Sequence, residues 1–439
     1  MINLPVEPDP LIKVIHQSNT LKSIGRVAEA YGTLIKVTGI SARIGDLCKL
    51  KDPKSGYTLL AETIGLSGDY TLLTPLGPLE GVSTTMEVTV SEGRASLPVG
   101  DALLGRVIDA HGKAIDGASQ PKCADTAPIY RESPDPMQRL PVDKPLVTGI
   151  RAIDSMLTVG LGQRVGVFAT AGGGKSTLLG MLARGTEADI NIIILVGERG
   201  REVSEFIEDS LGTEGLKKSV VIIATSDKPA LERSRAAYVG HTIAEYFRDQ
   251  GKRVLLLMDS VTRYARALRE IGLALGEPPA RRGFPPSVFS KLPQLFERSG
   301  NNERGYITAI YTVLVEDEEE DDPIAEEVRS LLDGHIVLTR QLASSGHYPA
   351  IDILRSTSRV MTRIVNTEHI TAAAELRRRL AKYRDIELLL QLGEYEPGHD
   401  LEADIAIASY QPIRQLLVQS TNEVKCFDNT VTQLKDLAQ

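Results

Sequence analysis

The sequence predicts an α/β protein in which a mostly parallel, doubly covered sheet is preceded by a small β-barrel and followed by a helical C-terminal domain. Three observations carry this reading. From about 97 to 365, short apolar runs alternate with helical stretches, the pattern of parallel strands covered on both faces. From 24 to 90 the chain shows short β-like runs broken by glycines. After Thr367 the strands stop and helical periodicity takes over. The domains so drawn are a tail over 1–20, a barrel over 21–96, an α/β domain over 97–366 and a helical domain over 367–439.

The tail is polar and proline-bearing, with one apolar patch at 11–15, and fits a flexible segment or a single helical docking turn. The barrel runs fall at 25–27, 32–37, 57–60, 70–73 and 86–90. Between Lys22 and Arg94 eight basic residues balance eight acidic ones, and the aromatics are Tyr31, Tyr57 and Tyr70. A base-stacking surface needs more of both positive charge and rings, so the barrel is expected to serve assembly and not to read RNA. The α/β strands are expected at 165–168, 192–196, 220–224, 254–258, 307–315 and 336–338, with helical text such as 229–250 between them. Helical periodicity returns at 371–392 and 402–419.

Composition narrows the class. A chain of 439 residues holds two or three domains, and its formal charge of −8 argues against non-specific nucleic-acid binding as the main activity. Cys48, Cys123 and Cys426 are far apart and odd in number, which suggests neither a disulfide framework nor a clustered metal site and points to the reducing cytosol. No basic segment followed by an apolar one opens the chain, and no run of 18 apolar residues occurs, so it is expected neither to enter nor to span a membrane by itself.

The chemistry begins at 166–177, where an apolar strand runs into Gly172-Gly173-Gly174-Lys175-Ser176-Thr177 and then into a helix. Glycines let backbone N–H groups turn onto phosphates, a lysine reaches the β and γ oxygens, and a serine hydroxyl ligates Mg²⁺. Ala171, Gly172, Gly173, Gly174, Lys175, Ser176 and Thr177 are therefore the expected nucleotide-binding residues. The pattern departs once from the usual G-x-x-x-x-G-K-[ST], because its first position is Ala169. Sheets of this kind place their chemistry at the carboxyl ends of strands. The strand 254–258 is closed by Asp259, the expected Mg²⁺ carboxylate, acting through water. The strand 192–196 leads to Glu198, placed to orient and polarise the attacking water. Arg201 and Glu202 read as ion pairs at a helix start, and Arg199 and Arg263 are further candidates for the site. The acidic run 316–322 reads as an exposed, solvated loop, although Glu316 ends a strand near the expected metal.

With these residues in view, the chain resembles the hexameric protein-export ATPases of type III secretion systems, which are similar to the flagellar export ATPase and to the catalytic subunit of rotary ATP synthases. The matching blocks span nearly the whole chain and include 97–100, 104–109, 148–154, the phosphate loop, 197–202, 246–253, 283–289 and 347–352. The resemblance implies a RecA-like P-loop ATPase core, ATP as substrate with Mg²⁺, Glu198 as the catalytic carboxylate beside Lys175, and Tyr348 stacked on adenine. It also implies that Arg359 reaches across a subunit interface to the neighbour's γ-phosphate. A chain with both the loop and that arginine is expected to form a homo-oligomeric ring, a hexamer. Ala169 resembles the export branch, whereas the synthase subunit usually keeps glycine.

The same resemblance implies a cytoplasmic ring peripheral to the inner-membrane export apparatus, chaperone-bound effector proteins as cargo, and contact with a central stalk and a peripheral stator, while the charge and the few aromatics predict no nucleic-acid partner. The text at 392–400 resembles the stalk-facing region, and the acidic run is longer than the family stretch. A flagellar export ATPase, a Rho-type RNA helicase and a non-catalytic nucleotide-binding ring subunit remain as alternatives.

Overall fold

Six antiparallel strands close into a barrel: β1 (Gly25–Tyr31), β2 (Leu34–Thr38), β3 (Asp46–Lys51), β4 (Thr58–Ser67), β5 (Tyr70–Pro75) and β6 (Glu87–Arg94), in the order β1-β2-β5-β4-β3-β6. Alternation along each strand puts Val27, Ile35, Val37, Leu50, Leu73 and Val88 inside. Five of the strands were expected from sequence. The sixth, β3, alternates charged and apolar residues without the β-branched side chains that mark a strand.

The structure, a computed structural model, describes residues 23–315 and 322–439, with backbone alone at 92–94. The expected tail and the acidic run up to Asp321, Glu316 included, lie outside the described residues. Asp322, the last acid of that run, caps the helix that follows by accepting from the backbone N–H of Ile324 and Ala325. The chain divides into two compact units, Met1–Ala95 and Ser96–Gln439.

The second unit is built on one large sheet ordered β17-β16-β10-β15-β13-β11-β12-β8. Its members are β8 (Val107–Asp109), β10 (Arg164–Ala169), β11 (Ile190–Val196), β12 (Ser219–Ala224), β13 (Arg253–Asp259), β15 (Tyr306–Leu314), β16 (Gly334–Leu338) and β17 (Thr357–Ser358). All these neighbours run parallel except β17, which lies antiparallel on β16. The short β14 (Gly300–Asn301) pairs with β15, and β7 (Ser96–Val99) pairs with β9 (Asp125–Pro128). The connecting helices are α1 (Arg151–Met156), α2 (Lys175–Gly185), α3 (Gly200–Glu205), α4 (Gly212–Lys217), α5 (Ala230–Asp249), α6 (Val261–Ala274), α7 (Pro286–Phe296), α8 (Pro323–Leu331), α9 (Arg340–Ser344) and α10 (Met361–Ile364).

All seven positions of β11 are buried, as a strand covered on both faces must be. The helix α5 lies so close to it that a Cβ added at Gly240 would come within 2.3 Å of Ile194 Cδ1. Beyond α7, Arg298 is buried and donates from both Nε and Nη2 to the buried Glu245, at 2.7 and 2.9 Å. It also donates to Thr242 Oγ1 and to the carbonyl of Ile129, so four of its five N–H donors are engaged within the core.

The C-terminal region is three helices, α11 (Thr367–Leu392), α12 (Leu401–Leu417) and α13 (Phe427–Ala438). The first two were expected, and α13 was not, because the residues around it are polar and its apolar stripe is short. Leu376, Leu416 and Leu434 join the same apolar core as Val165 and Ile336. Polar staples reinforce the contact: Arg151 Nε donates to the Leu416 carbonyl at 2.8 Å and Gln419 Nε2 to the Gly149 carbonyl at 2.8 Å. At the far turn of this region Leu388, Leu389, Leu392, Leu401 and Ile405 are exposed to water. Among the described residues no helix is long and apolar enough to cross a membrane.

Candidate active site

Parallel strands deliver their carboxyl ends to one side of the sheet. There β10 ends in the glycine loop, β11 leads to Glu198 and β13 ends in Asp259. These residues line one cleft of about 700 Å³. The loop is shaped by glycine at its last turn. Gly174 is the left-handed cap of α2, at φ 81°, and a Cβ there would sit 3.4 Å from the ring of Tyr348. The first turn of α2 thus opens toward the cleft with unsatisfied N–H groups, an anion site by construction.

Ala171, Gly172, Gly174, Lys175, Ser176 and Thr177 line the cleft. Gly173 does not: it is buried, and its N–H closes the loop on the Thr170 carbonyl at 3.1 Å. Two contacts that sequence reasoning missed hold this loop and its carboxylates. Arg340, at the start of α9, donates to the Ala171 carbonyl at 2.9 Å. Thr312, inside β15, donates to Asp259 Oδ1 at 2.8 Å. An arginine six strands further along the chain carries no local signal, and a threonine in an apolar strand reads as an ordinary strand former.

The charged groups converge. Lys175 Nζ is 2.6 Å from Asp259 Oδ1 and 3.4 Å from Glu198 Oε1. Arg263, on α6, brings its guanidinium 2.6 Å from Glu198 Oε2 and donates to the Gly197 carbonyl. Glu198 and Asp259 are both buried. Burial first, and the negative charge of Asp259 second, push the Glu198 carboxyl up to about 7, against the opposing pull of Lys175 and Arg263. A carboxyl poised there can accept a proton near neutrality.

The remaining candidates separate. Tyr348 lines the cleft beside Gly174, and its carbonyl accepts from the Gln419 N–H at 2.8 Å. Arg199 caps α3 at the cleft rim, mostly exposed, and pairs with Glu202 at 3.4 Å, while Arg201 pairs with Glu205 at 2.7 Å. Arg359 is absent from this cleft. It follows β17, which pairs with the start of β16, so it lies toward the sheet end opposite the glycine loop, exposed, with its N–H on the Asp333 carbonyl. Phe206, Val203, Leu195 and Leu314 supply apolar wall, and Thr421 lines the cleft from the C-terminal region.

The donors also suit a hard divalent cation. Ser176 hydroxyl and the Asp259 and Glu198 carboxylates offer oxygen only, which fits Mg²⁺. Among the described residues no group of three His, Cys, Asp or Glu forms a cage of its own. Thr170 Oγ1, buried at the head of the loop, has no hydrogen-bond partner among the described residues.

Three family models match in order along the chain: the ATP synthase alpha/beta family β-barrel domain over 27–91, the nucleotide-binding domain of that family over 149–358, and the T3SS EscN ATPase C-terminal domain over 365–436. A type 3 secretion system ATPase from Xanthomonas euvesicatoria is 53% identical over 93% of each chain. A flagellum-specific ATP synthase from Treponema pallidum is 47% identical over 98% of this chain and 97% of its own. Among solved structures, the assembled ATPase EscN of the enteropathogenic E. coli type III secretion system superposes with a TM-score of 0.89 at 49% identity, covering 94% of this chain and all of that one. The same protein in complex with its central stalk EscO gives 0.87 at 48% identity over the same shares.

Proposed function

The chain belongs to the type 3 secretion system ATPases, which share the nucleotide-binding domain of the ATP synthase alpha/beta family, and from that premise we propose how its cleft hydrolyses ATP. The supporting observation is the convergence of Lys175, Glu198, Asp259 and Arg263 beneath the glycine loop. The triphosphate lies along the N–H groups of 174–177. Lys175 leaves Asp259 for the phosphate oxygens, which frees the charge of Asp259 for the cation. Glu198, held by Arg263, orients the attacking water and takes its proton. Ser176 and, through water, Asp259 would hold a Mg²⁺, which would supply charge neutralisation to the triphosphate. Tyr348 covers the adenine.

Arg359 is too far from its own cleft to serve it, so it acts on a neighbour's nucleotide, and the working form is a homohexameric ring. That ring is cytoplasmic and peripheral to the export apparatus. It releases and unfolds chaperone-bound effectors and meets a central stalk and a stator. In it the 21–96 barrel serves assembly, 97–366 hydrolysis and 367–439 partner contact. The flagellar relatives share the same machinery, and the genetic neighbourhood of the coding sequence separates the two export systems. The mechanism is tested by specific activity against protein concentration, with mass by light scattering and MgCl₂ present. Activity rising with ring formation supports a site completed between subunits, and a monomer of constant specific activity overturns it.

A further inference from the structure

Among the described residues Asp259 takes both of its side-chain hydrogen bonds on one oxygen. Lys175 Nζ donates to Oδ1 from 2.6 Å and Thr312 Oγ1 donates to the same atom from 2.8 Å. Thr312 is fully buried and does not line the cleft. The β13–β15 register pairs Met258 with Tyr311, which sets Thr312 beside Asp259 one residue later. Its hydroxyl has one alternative acceptor, the Met258 carbonyl at 3.2 Å.

The two donors respond differently to a polyphosphate. Lys175 is a long, mobile ammonium drawn to the phosphate oxygens, whereas a threonine fixed in a buried strand cannot follow. Once Lys175 departs, Thr312 is the side chain still holding the carboxylate. We propose that Thr312 is the positioning residue of this carboxylate, anchoring Oδ1 while Lys175 exchanges onto phosphate. The inference rests on Asp259 being the cation-side carboxylate. Orienting a ligand through a hydrogen bond behind it is how proteins keep an acidic group aimed without adding a charge.

The test uses the full chain, N-methylanthraniloyl-ADP as fluorescent probe, and MgCl₂ titrated into metal-stripped protein. Thr312→Val keeps the shape and removes the donor. It should raise the Mg²⁺ concentration for half-maximal enhancement of binding about 10–100-fold, the usual worth of a hydrogen bond to a charged group behind a metal ligand. Metal-free affinity for the probe should stay within about twofold, and Thr312→Ser should restore the parental Mg²⁺ dependence. Parental dependence in Thr312→Val, or a Ser variant as impaired as the Val variant, overturns the assignment. Asp259→Asn separates the layers: if it too leaves the Mg²⁺ dependence unchanged, the reading of Asp259 fails first. Should Thr312→Val not fold, Thr312→Cys, a far weaker donor of similar volume, is read in the same way.

Discussion

The guanidinium of Arg263 lies 2.6 Å from Oε2 of Glu198 and so holds one oxygen of that carboxylate while Lys175 stands 3.4 Å from the other. Neither cation overcomes the burial, because the group still sits at about 7. The proposed chemistry needs the ionised form, so kcat/KM should fall as pH drops through about 7 and level off above it. Stability runs the opposite way. Between the ordinary 4.5 and about 7 the folded chain keeps a proton that the unfolded chain has released, so this group's contribution falls as pH rises across that window. Glu198→Gln should bind Mg-ATP, lose at least about 100-fold in kcat, and lose this pH dependence of stability. A parental rate would remove Glu198 from its role.

Arg263→Ala takes a positive charge away from Glu198. The acidic limb of the rate profile should then move to higher pH, and kcat should fall about tenfold at neutral pH with recovery as the medium is made alkaline. An unmoved limb would show that Arg263 does not set the state of Glu198.

Arg359→Ala and Lys175→Ala subunits should each be inactive alone and recover part of the rate when mixed, since each lacks a different half of the proposed shared site. Mixed rings verified by mass with no recovery would count against action across an interface.

Removing Arg298 leaves the buried carboxylate of Glu245 with the longer pairing to the partly exposed Arg131, at 3.5 Å. Arg298→Ala should cost about 3–5 kcal/mol in urea unfolding, and the double change Arg298→Met with Glu245→Leu should regain much of it. Equal loss in the single and double variants would place the cost in packing and not in charge.

The parallel strands and their terminal carboxylates were legible because each lies in a continuous apolar run with an abrupt polar end, as at 253–259. The phosphate loop was legible because its glycines and lysine are neighbours in sequence. Thr312, Arg340 and the pairing of Arg263 with Glu198 were not, because each depends on which strand lies beside which. The sheet order β10-β15-β13 decides that a residue from β15 meets the end of β13, and no local spacing encodes it. For the same reason Gly173 looked like its neighbours in the loop, and only the fold shows its N–H already engaged. The third C-terminal helix was hidden because it contributes few apolar residues, of which Leu434 is fully buried.

The exposed leucines at the far turn of α11 and α12 give a freshly made copy an adhesive end. Water's aversion to such side chains grows on warming and in solutions of sulfate or phosphate, and weakens in the cold. Free copies should therefore stay dispersed best in cool, low-sulfate buffers, and clumping on heating should begin at Leu388, Leu392 and Leu401 before the sheet loosens.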